Sequence, residues 1–373
     1  SIIFFMFLLV YVVAGPAVGF LEGILDYVTK RIVHHMIQHN VPALLQSFVT
    51  NSILGGVGAV VVFFPNMFVL FFLLSALEDS GYLARGTFII DRLMYMLGLG
   101  GKSFIPIVMG FGCSVPAMVG TRILSNRRDR LLTMLVIPFI SCSAKLPVFI
   151  LFANTLFGDR AAAVVFSLYV LGLLMMIVVT KVLSMTVFKN SESILMMELP
   201  VYHLPIFRNV LRITWRDASE FVKKASTFIM LTVFFVWLLS SFPLGVEYAS
   251  RESYLGMIGS TISPMFAWAG YGFWQAGIAL MTGFLAKEAI IGTLGALFGG
   301  AEDTLSVVLG KLFTPLSAYS YLIMILFYTP CLTAVATFYR ESRSSRWTLF
   351  FVSYTFLFGW IMSILVYQVG KMF

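Results

Sequence analysis

Charge is what this sequence has least of. Only 11% of its 373 residues are charged and 60% are hydrophobic, with a mean hydropathy of +0.95. Soluble domains carry roughly 25% charged residues, so the chain cannot cover a water-facing surface and must use lipid as its solvent. Histidine is also scarce. His34, His35 and His39 share one loop, and the fourth is His203. A membrane thiol enzyme, which wants a histidine base beside its cysteine, is therefore a poor reading. The three cysteines all lie in or beside apolar segments, and an odd count in that setting argues against a disulfide framework. A Walker-type phosphate loop is missing. Gly101-Lys102-Ser103 ends like one, but the glycine required five residues earlier is Met96. Short alternating apolar–polar strands are missing too, which excludes an outer-membrane barrel.

What remains is a series of long apolar runs. Candidate spans are Ile2–Leu21, Gly55–Leu77, Leu131–Phe152, Ala161–Val187, Phe228–Phe242, Trp274–Phe298, Ala318–Tyr339 and Leu349–Val369. Shorter or broken segments are Leu83–Leu97, Phe104–Val119 and Tyr254–Ala269. A spanning helix needs about 20 mostly apolar residues. The pattern predicts an all-α integral membrane protein, a polytopic helical bundle of about eight crossings with broken or re-entrant helices. The chain opens at Ser1 with no charged n-region and no small-residue cleavage site. Its first run reads as a retained span, and sequence upstream of Ser1 is expected.

The net charge of +8 does not point to nucleic acid, because the basic residues sit in loops between apolar runs. They cluster at Arg122, Arg127, Arg128 and Arg130, from Lys181 to Lys224, and at Arg340, Arg343 and Arg346. The positive-inside rule puts these loops on the cytoplasmic side. The loops Glu22–Asn40, Gly158–Arg160, Glu247–Glu252 and Glu302–Asp303 then fall outside, and the side of the C-terminus stays open. Arg208, Arg212 and Arg216 recur every four residues among Phe207, Val210, Leu211 and Trp215. That is the pattern of a helix in the headgroup plane or docked on a cytosolic domain. The expected organisation is residues 1–52 as first span and outside loop, 53–190 as a first repeat, 191–226 as a cytoplasmic amphipathic segment, and 227–373 as a second repeat with the last spans.

Four constellations break the apolar runs. Gly110 to Pro116 reads GFGCSVP, with Cys113 at its centre. Glycine and proline there free backbone groups that lipid cannot satisfy, a feature of transport sites and also of a plain proline kink. Pro138 to Pro147 holds Cys142 and Lys145 three residues apart, so in a helix both share a face. An ammonium nearby favours the thiolate, the metal-binding form. The alternative is a lysine that snorkels to the interface. Gly283 to Glu288 places Lys287 and Glu288 side by side in an apolar run. Successive helical residues diverge by about 100°, so each needs its own partner. Tyr328-Thr329-Pro330-Cys331 sets a third cysteine against a proline. Buried cysteine is commonly a small hydrophobe, but all three here lie at helix breaks. Gly110-Phe111 and Gly283-Phe284, each followed by a proline–cysteine element, suggest paired halves with a site between them.

These motifs carry a resemblance. The runs EDSGYLAR at Glu78–Arg85, GFGCSVP at Gly110–Pro116, SCSAKLP at Ser141–Pro147, MELP at Met197–Pro200, GFLAKE at Gly283–Glu288 and YTPC at Tyr328–Cys331 are similar, in order, to the membrane-domain motifs of FeoB ferrous-iron transporters. The resemblance implies uptake of Fe²⁺ across the bacterial cytoplasmic membrane and two gate-type repeats. It also implies that GTP acts only through a cytosolic G domain absent from this sequence, so the chain itself is expected to be no enzyme and to hold no permanent cofactor. A small cytosolic accessory protein and self-association are compatible partners beside the bilayer. Lys145 stands where the family commonly has arginine, and Ser114 where asparagine is common, which removes an amide ligand. Fe²⁺ accepts thiolate, imidazole and carboxylate ligands, so the expected metal-contacting residues are Cys113, Cys142 and Cys331, with Glu78 and Glu288 secondary. Lys145 and Lys287 are expected to set local charge rather than touch the cation.

Two rival readings have their own signatures. A gate-fold carrier of nucleosides or other small solutes should line its breaks with amides and carboxylates. A non-conducting anchor for a regulatory domain has no use for charges inside its spans.

Overall fold

The computed structural model describes residues 15–39, 41–188, 205–243, 250–285, 287, 289–298, 302–328 and 330–372. Part of the expected first span, the motif at Met197–Pro200, His203 and Glu288 lie outside these residues. Among the described residues there is no strand, and the protein is an all-α membrane bundle. The helices in chain order are α1 (Gly15–Gln38), α2 (Ala43–Ser47), α3 (Gly55–Asp79), α4 (Tyr82–Met96), α5 (Phe104–Gly110) and α6 (Ser114–Gly120). Next come α7 (Arg127–Val136), α8 (Leu146–Phe157), α9 (Ala161–Thr186), α10 (Phe207–Ser241), α11 (Tyr254–Phe266) and α12 (Trp274–Leu285). Last are α13 (Ala289–Phe298), α14 (Glu302–Leu312), α15 (Pro315–Phe327), α16 (Leu332–Ser342) and α17 (Ser345–Gly370).

Among the described residues, four stretches are long and apolar enough to cross a bilayer: Leu45–Leu77, Arg127–Thr186, Pro315–Ser342 and Ser345–Gly370. A fifth arises if Arg85–Met96 and Gly101–Gly110, bent by 108°, form one broken span. The 60-residue stretch Arg127–Thr186 would measure about 90 Å as one helix, three times the hydrocarbon core of a bilayer. It is divided instead by the Pro138–Lys145 break and by a turn at Gly158, whose φ of +50° glycine adopts without a Cβ penalty. α8 and α9 then pack on each other, so the chain reverses at that turn. α9 exposes Phe166, Leu174, Val178 and Met185, and α17 exposes Leu349, Ile361 and Leu365. Apolar surface of this extent belongs against lipid.

The described residues form two compact units, one from Ser1–Gly86 with Glu198–Tyr248 and one from Thr87–Met197 with Ala249–Phe373. In the first unit α3 and α10 pack side by side. Phe72 meets Phe207, Phe64 and Phe68 meet Trp215, and Phe48 just before α3 meets Trp237. The two helices are therefore antiparallel. Val210, Thr214 and Ala218 are buried on one stripe at four-residue spacing, while Arg208, Arg212 and Arg216 are exposed. The arginine-bearing turns and the apolar run that follows are one continuous 35-residue helix, since no glycine or proline interrupts them. Asp79, at the end of α3, accepts from the Ile206 backbone N–H at 3.0 Å, which places a carboxylate at the positive end of α10.

In the second unit α15 is the central helix. Ala318 and every residue from Ser320 to Phe327 are buried. Its start is set by Pro315 in the first turn and a reciprocal cap between Thr314 and Ser317. α8, α9 and α17 pack around it. Ser320 Oγ donates across to the α17 backbone at Ser363, which also meets the Tyr271 hydroxyl at 2.7 Å. Small hydroxyl residues hold helices together where lipid removes the hydrophobic drive. Two basic loops 219 residues apart also meet. Glu341 accepts from Arg122 Nη2 at 2.5 Å and is also paired with Arg130. The Glu341 carboxylate raises the Arg122 pKa above its ordinary value, first through this hydrogen bond and then by charge attraction.

Candidate functional site

Among the places where glycines and prolines interrupt the helices of the second unit, three carry one cysteine each. α5 ends at Gly110 and α6 begins at Ser114. Between them Cys113 takes an extended conformation, φ −151° and ψ 134°, and is the N-cap of α6. After α7, a 3₁₀ turn at Ile137–Phe139 is followed by extended Cys142, the N-cap of a second 3₁₀ turn at Ser143–Lys145 that runs straight into α8. After α15, Cys331 is the N-cap of α16. The unpaired N–H groups and the dipole of a helix N-terminus favour negative charge, and all three thiols sit at such a terminus. None is in a disulfide, and each is partly accessible.

The first two breaks are stitched together. Gly112, left without a helical partner, accepts from Ser143 N at 3.1 Å and from Ser143 Oγ at 2.8 Å. The residues next to these, Cys113 and Cys142, are thereby brought into adjacent turns. The second and third breaks are tied by Lys145. Its ammonium is buried at 3% exposure and donates to the carbonyl of Leu326 at 2.7 Å and that of Pro138 at 3.3 Å. Leu326 lies in the last turn of α15, where carbonyls lack partners and the dipole is negative. The ammonium is also within electrostatic reach of both Cys142 and Cys331. Lys145 is thus a buried cation compensated by backbone carbonyls, and it does not snorkel.

The second and third breaks each rest on a glycine of a neighbouring unbroken helix. A Cβ on Gly172 of α9 would stand 2.8 Å from the Phe139 carbonyl oxygen, and one on Gly359 of α17 would stand 2.8 Å from Tyr328 N. Lys287, 3% exposed, lies 3.2 Å from the centre of the Tyr328 ring. This cation–π contact links the Gly283–Glu288 motif to the YTPC motif. The helices α6 and α16 pack on each other. They begin at Cys113 and Cys331, and their far ends are joined through Arg122 and Glu341, so they run in the same direction.

Of the candidate ligands, Cys142 and Cys331 lie within charge reach of Lys145, and the Gly112–Ser143 contact sets the break at Cys113 beside the break at Cys142. Glu78 is in the last turns of α3; its side chain, like Glu288, lies outside what the structure describes. Among the described residues no group of three or more His, Cys, Asp or Glu is placed to hold a metal together. His35 and His39 stack at 4.7 Å on and just beyond α1, with His34 paired to Gln38. One contact escaped the sequence: Tyr328 supplies the ring under Lys287. A tyrosine in an apolar run carries no signal of the break it will meet.

Comparison with known proteins finds family models and relatives. A gate-domain family model described as nucleoside recognition matches residues 60–156 and 222–345. A second model, described as the ferrous iron transport protein B C terminus, matches residues 165–217. The chain is 42% identical over 356 residues to a protein of Staphylococcus aureus (strain COL) named Fe(2+) transporter FeoB, covering 95% of this chain and 53% of that protein. It is 40% identical over 337 residues to the protein of that name in Methanocaldococcus jannaschii, covering 88% and 50%. A Porphyromonas gingivalis protein, named as a fusion of Fe(2+) transport protein A with Fe(2+) transporter FeoB, is 34% identical over 378 residues, covering 88% and 45%. The chain spans about half the length of the curated relatives it matches. No solved structure matches.

Proposed function

Because this chain belongs to the FeoB family, as its membrane-embedded part, we propose that it conducts ferrous iron across the bacterial cytoplasmic membrane and into the cell. The observation that carries the reading is the tie between the three cysteine-bearing breaks, through the Lys145 ammonium on the Leu326 and Pro138 carbonyls and through Ser143 on Gly112. Fe²⁺ is the substrate. It accepts thiolate sulfur, and three thiols on different helices offer a cation successive partners. Sites of one or two ligands bind loosely, which conduction requires. The Lys145 charge repels a cation bound nearby, so residence stays short. Glu78 and Glu288 serve as secondary oxygen ligands, and no residue of this chain is assigned a catalytic role. GTP acts through a G domain outside this sequence. The fused Porphyromonas gingivalis relative supports a small transport protein A as a partner.

The description of the gate model favours one alternative, a nucleoside cargo. Such a cargo needs amide or carboxylate partners at the breaks, whereas here they carry thiols and a lysine.

The test is anaerobic, reducing uptake of Fe²⁺ into liposomes containing the chain, with Cys113→Ser, Cys142→Ser and Cys331→Ser made singly and together. Serine keeps the size and removes the soft ligand. Iron entry that falls with each substitution supports the pathway. Full entry in the triple variant overturns the ligand assignment. Nucleoside entry without iron entry overturns the cargo.

A further inference from the structure

At the far ends of α6 and α16 from their cysteines lies a cavity of about 830 Å³. α16 has 11 residues, so the cavity is separated from Cys331 by about 16 Å along the helix. Arg122, Arg127, Arg130, Arg340 and Arg343 line it, and among the described residues Glu341 is its one carboxylate. Glu341 is already engaged by Arg122 and Arg130. The cavity therefore holds a large surplus of positive charge.

Topology alone does not explain this. The positive-inside rule asks only that arginines be present in a loop, not that five converge on one cavity against their mutual repulsion. Arg127 and Arg130 also occupy the first turn of α7, where the helix dipole opposes cations. Two buried donors in the cavity wall have no partner among the described residues: Ser342 Oγ, in a residue only 4% exposed, and Arg130 Nε. Leaving such groups unsatisfied is costly, and an acceptor toward which these side chains turn removes that cost. Arg343, at φ +50°, is the left-handed residue that ends α16, and it turns the chain at the cavity wall.

We infer that this cavity binds a multiply charged phosphate group, its oxygens accepting from the arginines, from Arg130 Nε and from Ser342 Oγ. Guanidinium forks match phosphate oxygens two at a time, and the cavity falls in the size range of small-ligand sites. A bound anion relieves the repulsion between Arg127 and Arg343 and clamps the ends of the two helices that start at Cys113 and Cys331. Two sources present this chemistry, a diacidic phospholipid headgroup in the adjoining leaflet and a soluble di- or triphosphate.

The experiment uses the whole chain in phosphatidylcholine nanodiscs. Pyrophosphate is titrated calorimetrically in one arm. In the other, cardiolipin is added to the discs and its retention counted by native mass spectrometry. The expected result is saturable binding of at least one probe that weakens with salt and falls at least tenfold in Arg127→Gln/Arg343→Gly. Glycine suits the left-handed backbone at 343, so that variant should keep its melting temperature. Should Arg127→Gln lower it, Arg343→Gly alone serves, with a smaller loss expected. Pyrophosphate binding in plain discs assigns a soluble phosphate, and binding confined to cardiolipin assigns the headgroup; both support the site. Absence of saturable binding by either probe overturns it, as does undiminished binding in the folded variants.

Discussion

The Lys145 ammonium donates to the Leu326 carbonyl 2.7 Å away, joining the break before α8 to the end of α15, 181 residues further along the chain. The bond answers two costs together. A buried ammonium needs acceptors, and the last carbonyls of a helix that stops inside a membrane need donors. Neither break is complete alone, so the two halves of the second unit are locked to one another at these two breaks.

Removing that ammonium should be felt in stability first. Lys145→Met orphans the carbonyls of Leu326 and Pro138. A hydrogen bond to a charged group is worth about 1.5–3 kcal/mol, partly offset because no charge then remains buried. A net loss of about 1–3 kcal/mol is expected in denaturant unfolding of the detergent-solubilised chain. Lys145→Arg keeps charge and donors and should lose less. Equal stability of wild type and Lys145→Met would show that the carbonyls find other donors.

The glycines beneath the breaks make a sharper contrast. Gly172→Ala and Gly359→Ala each drive a methyl to 2.8 Å from a backbone atom of a broken segment. Overpacking against backbone costs about 1–3 kcal/mol. A methyl added at Gly292, on α13, would meet nothing within 4 Å among the described residues. Gly292→Ala should therefore be neutral or stabilising by up to about 1 kcal/mol through helix propensity. Melting temperatures of the three variants in one detergent decide it. If all three shift alike, the close approach at the breaks is not what those glycines are for.

Much of this arrangement was legible in residue order. Glycine and proline at Gly110–Pro116, Pro138–Pro147 and Pro330 are poor helix residues whatever surrounds them, and the helices stop there. What escaped was every partner supplied from a distance. Nothing in the sequence near Leu326 says that its carbonyl will hold Lys145, because a backbone acceptor has no residue identity. The basic loops at Arg122–Arg130 and Arg340–Arg346 were readable as a topology signal, but their meeting through Glu341 depends on the packing of α6 and α16. α10 was misleading in a different way. Its arginines end at Arg216 and a fully apolar run begins later, so the change of composition looks like a boundary, yet the backbone continues through it from Phe207 to Ser241.

The capping of α10 by another element is testable through Asp79. Its carboxylate accepts from the Ile206 N–H, and losing a cap of this kind costs about 0.5–2 kcal/mol. Asp79→Ala should speed amide hydrogen exchange in the first turn of α10, at Phe207 to Val210, and leave the apolar end near Trp237 unchanged. Asp79→Asn, which still accepts, should fall between. Uniform acceleration along α10 would mean that the whole helix opens as one unit, and that Asp79 secures more than its end.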